Sequence, residues 1–210
     1  MIVTFVFSVY FVDGVSADKI TGTTQWAYAL SLSGIAIALL NPVLGSIADS
    51  LGRRKPWLVL FSALTAIGAA FLWFAYPDPS FAIYALAVFC LANISFEVAQ
   101  VFYNAMPPTI VSNEKISRLA GWGWGLGYMG GLACLVFWLT VFIQADPATF
   151  GFDKEQAEHV RIIGPVVAVW CAVFYLPLFL FVPDAPSRNV RLSQAAQDGI
   201  VTLIATIRKV

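Results

Sequence analysis

Five long apolar runs dominate this 210-residue chain and limit what it can fold into. Each run has about 20 residues or more, the length that an α-helix needs to cross a hydrocarbon core roughly 30 Å thick. The composition agrees, because 60% of the residues are hydrophobic and only 11% are charged, whereas soluble domains carry about a quarter charged residues. We therefore predict an all-α, polytopic helical bundle in a membrane. The five predicted spans are residues 25–47, 57–76, 81–104, 119–143 and 161–182.

A sixth apolar run, residues 1–12, precedes the first complete span. As a helix it would reach about 18 Å, which is too short to cross a bilayer unaided. We interpret it as the end of a truncated first helix rather than a signal peptide, because it has no basic leading region and no small-residue cleavage site follows it. The expected domain is a six-helix bundle over residues 1–186, in which residues 1–12 count as the first span and residues 161–182 as the sixth. Residues 187–210 are expected to form a cytoplasmic linker with an amphipathic helix, leading to a missing C-terminal half. The alternative for this segment is the start of a seventh span.

The positive charges of the loops favour one orientation. If the loop at 52–56 is cytoplasmic, alternating spans place nine of the 12 lysines and arginines on that side. The three on the other side are Lys19, Lys154 and Arg161. This imbalance follows the positive-inside rule, so we expect a multi-pass protein with that loop in the cytoplasm. A bacterial inner membrane is the expected location. The net charge is zero and gives no indication of a nucleic-acid partner.

The loop between the second and third spans has a more specific residue pattern than the positive-inside rule requires, since any three basic residues would fix the orientation. In order, the pattern consists of Gly45, Asp49, Gly52, Arg53 and Arg54. A glycine permits the positive φ of a tight reversal, and Pro56 suits the first turn of the next helix. Asp49 lies within reach of the two arginines, so we expect it either to form an ion pair across the turn or to place its charge at a neighbouring helix N-terminus. We interpret these five residues as a conformational latch, called the latch loop below.

This spacing, between the second and third spans of a six-span unit, resembles the signature loop of the major facilitator superfamily of secondary transporters. Ser50 stands where members often have a basic residue, which removes one charge contact of the latch. The resemblance implies a twelve-span carrier in which this loop stabilises an outward-facing state by contacting the second six-helix half. It also implies a secondary active transporter that moves a small solute by alternating access.

Four further stretches point to one branch of the superfamily. They are "FVFSVYFVDG", "NPVLGSIADSLGRRKPWL", "FYNAMPP" and "GWGWGLGYMGG". Together they are similar to the branch that contains bacterial permeases and the fungal autophagy-related vacuolar amino-acid effluxers. That similarity makes amino acids a candidate substrate class and efflux a candidate direction.

Four polar side chains interrupt the fourth span, and we call them the polar stripe. They are Asn93, Glu97, Gln100 and Asn104. Their spacing places all four within about 60° of one helix face. Because an acidic residue at mid-helix costs about 2.5–3.5 kcal/mol on insertion scales, it usually faces a bundle interior or a water-filled cavity. We favour a substrate or coupling-ion pathway in which Glu97 binds an amine or a proton. The alternative is a polar seam that joins two helices.

Small residues recur at helical spacing on two spans. On the fifth span they are Ala120, Gly123, Gly127, Gly130 and Cys134, and on the second they are Gly34, Ala38, Asn41 and Gly45. Such faces allow close helix packing, so Gly123, Gly127 and Gly130 are predicted packing positions. The aromatic residues Trp122, Trp124 and Tyr128 occupy the other sides of the fifth span. They either line a cavity or anchor the helix at the membrane interface.

The chain offers little for catalysis or metal binding. Its single histidine, His159, lies in a predicted external loop, and no nucleophile, base or metal-ligand set accompanies it. The three cysteines, Cys90, Cys134 and Cys171, lie within apolar runs and resemble small apolar residues. We expect no enzymatic activity, no cofactor and no metal. The expected partners are the lipid bilayer, a small-molecule substrate and a second six-helix half. The alternative function is a non-transporting membrane interaction protein, or a half-size unit that acts only as a dimer.

Overall fold

A computed structural model shows six main helices in the part of the chain that it describes. The structure describes residues 3–145, 149–184 and 186, with isolated positions between 193 and 204, and it leaves out the side chains of Leu51 and Thr109. The expected linker helix within 187–210 therefore lies mostly outside the described residues. The main helices are α1 (Val3–Val15), α2 (Lys19–Leu51), α3 (Lys55–Phe71), α4 (Ala82–Asn104), α5 (Asn113–Trp138) and α6 (Ile163–Phe181).

The predicted all-α membrane bundle is confirmed, since five helices are long and apolar enough to cross a membrane. The helices α2 and α5 begin earlier than the apolar runs predict, because polar first turns continue the helix. Asp18 caps α2 by accepting hydrogen bonds from the backbone N–H groups of Ile20 and Thr21. The hydroxyl of Thr21 also donates to Asp18, and these hydrogen bonds hold the pKa of the carboxyl group below its usual value.

A short turn at residues 75–81 makes α3 and α4 antiparallel neighbours. We call the end of the bundle with this turn the outer end, and the end with the latch loop the inner end. The helix α3 packs against α4 and α6, and α2 packs against α4. At the outer end α1 packs on the start of α2 and on α4. Consequently α3 and α4 form the centre of the bundle.

Two glycines let other helices approach closely. A Cβ atom added to Gly68 of α3 would lie 2.9 Å from the Cβ of Ala92 on α4. A Cβ added to Gly164 of α6 would overlap the backbone carbonyl oxygen of Ala69 on α3. Real Cβ atoms do not tolerate either contact without a shift, so the absent side chains set the helix spacing.

Aromatic side chains fill both ends of the bundle. At the outer end they are Phe7, Phe11, Trp26 and Phe89. The rings of Trp26 and Phe89 lie 4.3 Å apart between centroids and join α2 to α4. At the inner end Trp57 of α3 stacks on Phe102 of α4, with 5.7 Å between ring centroids. These contacts join α2 to α4 at the outer end and α3 to α4 at the inner end.

The helix α5 is attached mainly through its outer end. Trp138 is 1% exposed and packs with Phe142 and Ile163 near the start of α6. In contrast, every residue from Gly121 to Met129 is exposed. Within the described part of the chain, the body of α5 forms no extended contact with α2, α3, α4 or α6. The position of α5 therefore depends on the packing of its last turns.

Candidate substrate pathway and latch loop

The polar stripe follows one edge of α4. Asn93, Glu97 and Gln100 are half-buried, and Asn104 is exposed. At 100° per residue, the four positions lie about 80–140° around the helix from Ala92, which belongs to the packed face. The stripe therefore runs between the face that packs on α2 and α3 and the exposed face of the helix.

Glu97 occupies an intermediate environment at this edge. Its side chain is half-buried, and within the described residues it makes no hydrogen bond or ion pair. A carboxyl group in this state is unfavourable in hydrocarbon by about 2.5–3.5 kcal/mol on insertion scales. Water, a bound solute or a group from another part of the protein would remove this penalty.

The helix α2 carries buried acceptors at Ser33, which sequence reasoning missed, and at Asn41, which it assigned only to a small-residue packing face. Ser33 is fully buried, and neither its hydroxyl oxygen nor the buried Oδ1 of Asn41 has a hydrogen-bond partner within the described residues. A helical serine often donates to the carbonyl four residues earlier, but the carbonyl of Ala29 accepts from Cys90 Sγ at 3.5 Å. Because α2 packs on α4, these acceptors lie on the helix that neighbours the stripe. In the sequence, the only indication of these acceptors was the presence of a serine and an asparagine within an apolar run.

Two concavities of about 350 Å³ each lie elsewhere on the bundle. One is an open groove on α5 with Arg118, Trp122 and Met129 in its wall, and the other lies between α1 and α5. Both are lined almost wholly by apolar side chains, and neither includes a stripe residue. A closed cavity around Glu97 would need walls from outside the described residues.

The predicted packing glycines of α5 face open space in this structure. A Cβ added to Gly127 or Gly130 meets no atom within 4 Å, and one added to Gly123 lies 3.4 Å from the hydroxyl of Tyr103. Gly34 of α2 is equally open. Helix packing through these positions stays a prediction, because any partner lies outside the described residues.

The latch loop is a tight reversal. Gly52 is buried with φ of 76°, in the region that favours glycine, and Pro56 lies in the first turn of α3. Asp49 Oδ1 lies 4.0 Å from Arg54 Nη2, and the two side chains are 79% and 12% exposed. Arg53 is exposed. The predicted contact between Asp49 and Arg54 is thus present, but solvent screens it.

Asp184, which sequence reasoning missed, connects the latch loop to the end of α6. Its carboxylate accepts hydrogen bonds from the backbone N–H groups of Arg54 and Lys55, at 3.0 and 3.3 Å. The Nζ of Lys55 donates to the carbonyl oxygen of Phe179 at 2.9 Å. The first N–H groups of a helix lack partners within it and favour an anion. Asp184 therefore caps α3, and its signal in the sequence was one acid just after the sixth span.

We expect Asp184→Ala to lower the free energy of unfolding by about 1 kcal/mol, the usual effect of losing an N-terminal cap. Asp184→Asn should have a smaller effect, because asparagine also caps helices. Asp49→Ala is the matched control, since a screened ion pair contributes roughly 0–1 kcal/mol. Thermal unfolding in detergent measures the stability of these three variants relative to the parent protein. A larger loss for Asp49→Ala than for Asp184→Ala would contradict the assigned cap.

The fold and the polar stripe together define a polytopic membrane protein with an ionisable group at mid-span and a tight turn, the latch loop, at its inner end. The chain belongs to the family described as MFS/sugar transport protein, whose family model matches residues 1–210. It is 26% identical over 166 residues to an uncharacterized MFS-type transporter, YxiO of Bacillus subtilis (strain 168). That match covers 79% of this chain and 37% of YxiO.

A second relative is an uncharacterized protein of Aquifex aeolicus (strain VF5), 33% identical over 112 residues. The match covers 53% of this chain and 27% of the relative. The matched parts of the chain thus cover only 37% and 27% of the lengths of these two curated relatives. No solved structure matches it. The superfamily predicted from the latch loop is confirmed, and the narrower branch stays a prediction.

Proposed function

We propose that this chain is part of a secondary active transporter that moves a small polar solute across a membrane by alternating access. The observation that carries the proposal is Glu97, a half-buried carboxyl group at mid-span without a partner in the described residues. Membership of a family of transport proteins supports the same class. Ionisable groups inside membrane spans commonly mark solute and proton pathways.

The groups around Glu97 fit a polar solute. The amides of Asn93, Gln100 and Asn104 each offer donors and an acceptor, and Glu97 can neutralise an amine or carry a proton. The family description names sugar transport, whereas the resemblance to the branch with the vacuolar amino-acid effluxers favours amino acids. Amides suit the hydroxyls of a sugar, and a carboxylate next to amides suits an amino acid. In this proposal Glu97 also couples transport to protons.

Alternating access requires a second wall around the pathway. We propose that a second six-helix half packs on the exposed faces of α2 and α5, near Gly34 and Gly127. The relatives are long enough to contain such a half, since the match covers 37% of YxiO. Open glycine faces on both helices would let its backbone approach closely.

In this arrangement the latch loop holds one of the two facing states. The Nε and Nη1 atoms of Arg54 are buried without hydrogen-bond partners in the described part of the chain. An acceptor on the second half would satisfy them when the loop is engaged. Asp184 would pass movement of the loop to the end of α6, because it binds the first N–H groups of α3.

The test is transport by the full-length protein in proteoliposomes. Thermal stabilisation by amino acids and sugars identifies candidate solutes, since a ligand that binds only the folded state raises its stability. We expect saturable counterflow of at least one such solute, competed by unlabelled solute. A folded protein that shows no counterflow of any solute would favour the alternative, a non-transporting membrane interaction protein.

A further inference from the structure

The outer end of α3 receives side-chain hydrogen bonds from three other helical segments. The last carbonyl groups of a helix lack partners within it and carry the negative end of the helix dipole. Here the turn that follows α3 extends this set of acceptors. The pairs are Tyr84 Oη to Phe71 O at 2.9 Å, Arg161 Nε to Trp73 O at 2.7 Å, and Tyr10 Oη to Ala75 O at 2.7 Å.

Arg161 is the most unusual of these donors, because the side chain is charged and the residue is 1% exposed. Its Nη1 donates to the carbonyl of Gln156 at 3.1 Å. The guanidinium carbon lies 3.9 Å from the ring centroid of Tyr76 and 4.9 Å from that of Trp73. No carboxylate lies within 4 Å of it in the described residues. Backbone carbonyls and aromatic faces therefore balance the charge.

Arginine is suited to this position. Its planar guanidinium can donate in several directions while its face covers an aromatic ring, which a lysine ammonium cannot do equally well. Removing the arginine would leave the carbonyls of Trp73 and Gln156 without these donors and would open a gap beside Tyr76. The hydrogen bonds and ring contacts of Arg161 therefore stabilise the outer end of α3.

The neighbouring donor, Tyr10, ties the short helix α1 to the same place. Its hydrogen bond to Ala75 spans 65 positions of the chain and is buried. The last residue of α1, Val15, is fully buried in the apolar cluster at the outer end, which also contains Phe11 and Trp26. If these contacts were released, the end of α1 could separate from the bundle and expose Val15.

We propose that Arg161, with Tyr10 and Tyr84, forms an outer clamp that holds the outer ends of α1, α4 and α6 on α3. Arg161 is a positioning residue and does not contact the transported solute. The clamp makes these helices one rigid unit at the outer end. Only the consequence for transport, that these helices move together, rests on the proposed function.

The test measures the reaction of single cysteines with maleimide in the full-length protein, after replacement of Cys90, Cys134 and Cys171 by alanine. Val15→Cys reports on the outer end, and Ala48→Cys, at a residue that is 1% exposed, reports on the inner end. We expect Arg161→Met to raise the labelling rate at position 15 at least about ten-fold and to change position 48 less than two-fold. Arg161→Lys should restore part of the protection.

Lys154→Met is the matched control, because it removes an exposed cation near the same end of the bundle and should leave both rates unchanged. Equal acceleration at both positions, or no acceleration at position 15, would overturn the clamp. If Arg161→Met does not fold, the double variant Tyr10→Phe and Tyr84→Phe removes only two hydroxyl groups and should accelerate position 15 about three-fold. An unchanged rate there would also overturn the proposal. Labelling needs no solute, so its failure is distinct from a failure to detect transport.

Discussion

Replacing Glu97 by glutamine should abolish uptake or efflux by the full-length protein in proteoliposomes while expression stays normal. Glutamine keeps the size and hydrogen-bonding shape of the side chain but can neither carry a negative charge nor release a proton. In the proposed pathway the variant loses the hydrogen bond between the charged carboxylate and the solute. Losing such a bond costs about 1.5–3 kcal/mol, which alone corresponds to roughly a 10- to 100-fold loss of transport rate. Loss of proton coupling would stop transport driven by a proton gradient entirely.

The comparison that isolates this effect uses a carboxyl group outside the span. Glu155 is exposed near the outer end, so Glu155→Gln changes the same chemical group without touching the stripe. It should transport like the parent protein. Asn93→Ala and Gln100→Ala should give intermediate losses, because each removes one neutral hydrogen-bonding group. Normal transport by Glu97→Gln would identify the stripe as a polar seam between helices.

Replacing Gly164 by alanine should lower the free energy of unfolding by about 1–3 kcal/mol, the usual cost of overpacking a tight contact. The added methyl group would overlap the carbonyl oxygen of Ala69, a backbone atom that cannot move without displacing α3. Gly68→Ala should cost less, since its added Cβ overlaps its nearest neighbour, the Cβ of Ala92 at 2.9 Å, to a smaller extent. Thermal unfolding in detergent ranks the two variants.

Gly127→Ala is the matched control for this experiment. Its added Cβ meets no atom of the described residues within 4 Å, and alanine is favoured over glycine within a helix by about 0.5–1 kcal/mol. In the six-helix chain the variant should therefore be as stable as the parent or more so. A loss of stability confined to the full-length protein would support packing of a second half on this face of α5. A Gly164→Ala protein as stable as the parent would contradict the close approach of α3 and α6.

Much of the fold could be predicted because the relevant physics is local. In a membrane each backbone polar group must be satisfied within its own helix, so an apolar run of sufficient length is enough to identify a span. The register of the stripe from Asn93 to Asn104 follows from helix geometry alone. Helix ends were less predictable, because the cap of Asp18 extends α2 beyond the apolar residues.

The sequence by itself determined the helical class, the spans, the stripe and the latch loop, since each depends on residues close together in the chain. Only the tertiary structure decided that Asp184 caps a helix 130 positions away and that Arg161 binds a carbonyl 88 positions away. It also decided that Gly164, and not Gly127, lies at a close contact within this bundle. Periodicity shows which residues share a face of one helix, whereas the distance and angle between two helices depend on all the side chains that separate them.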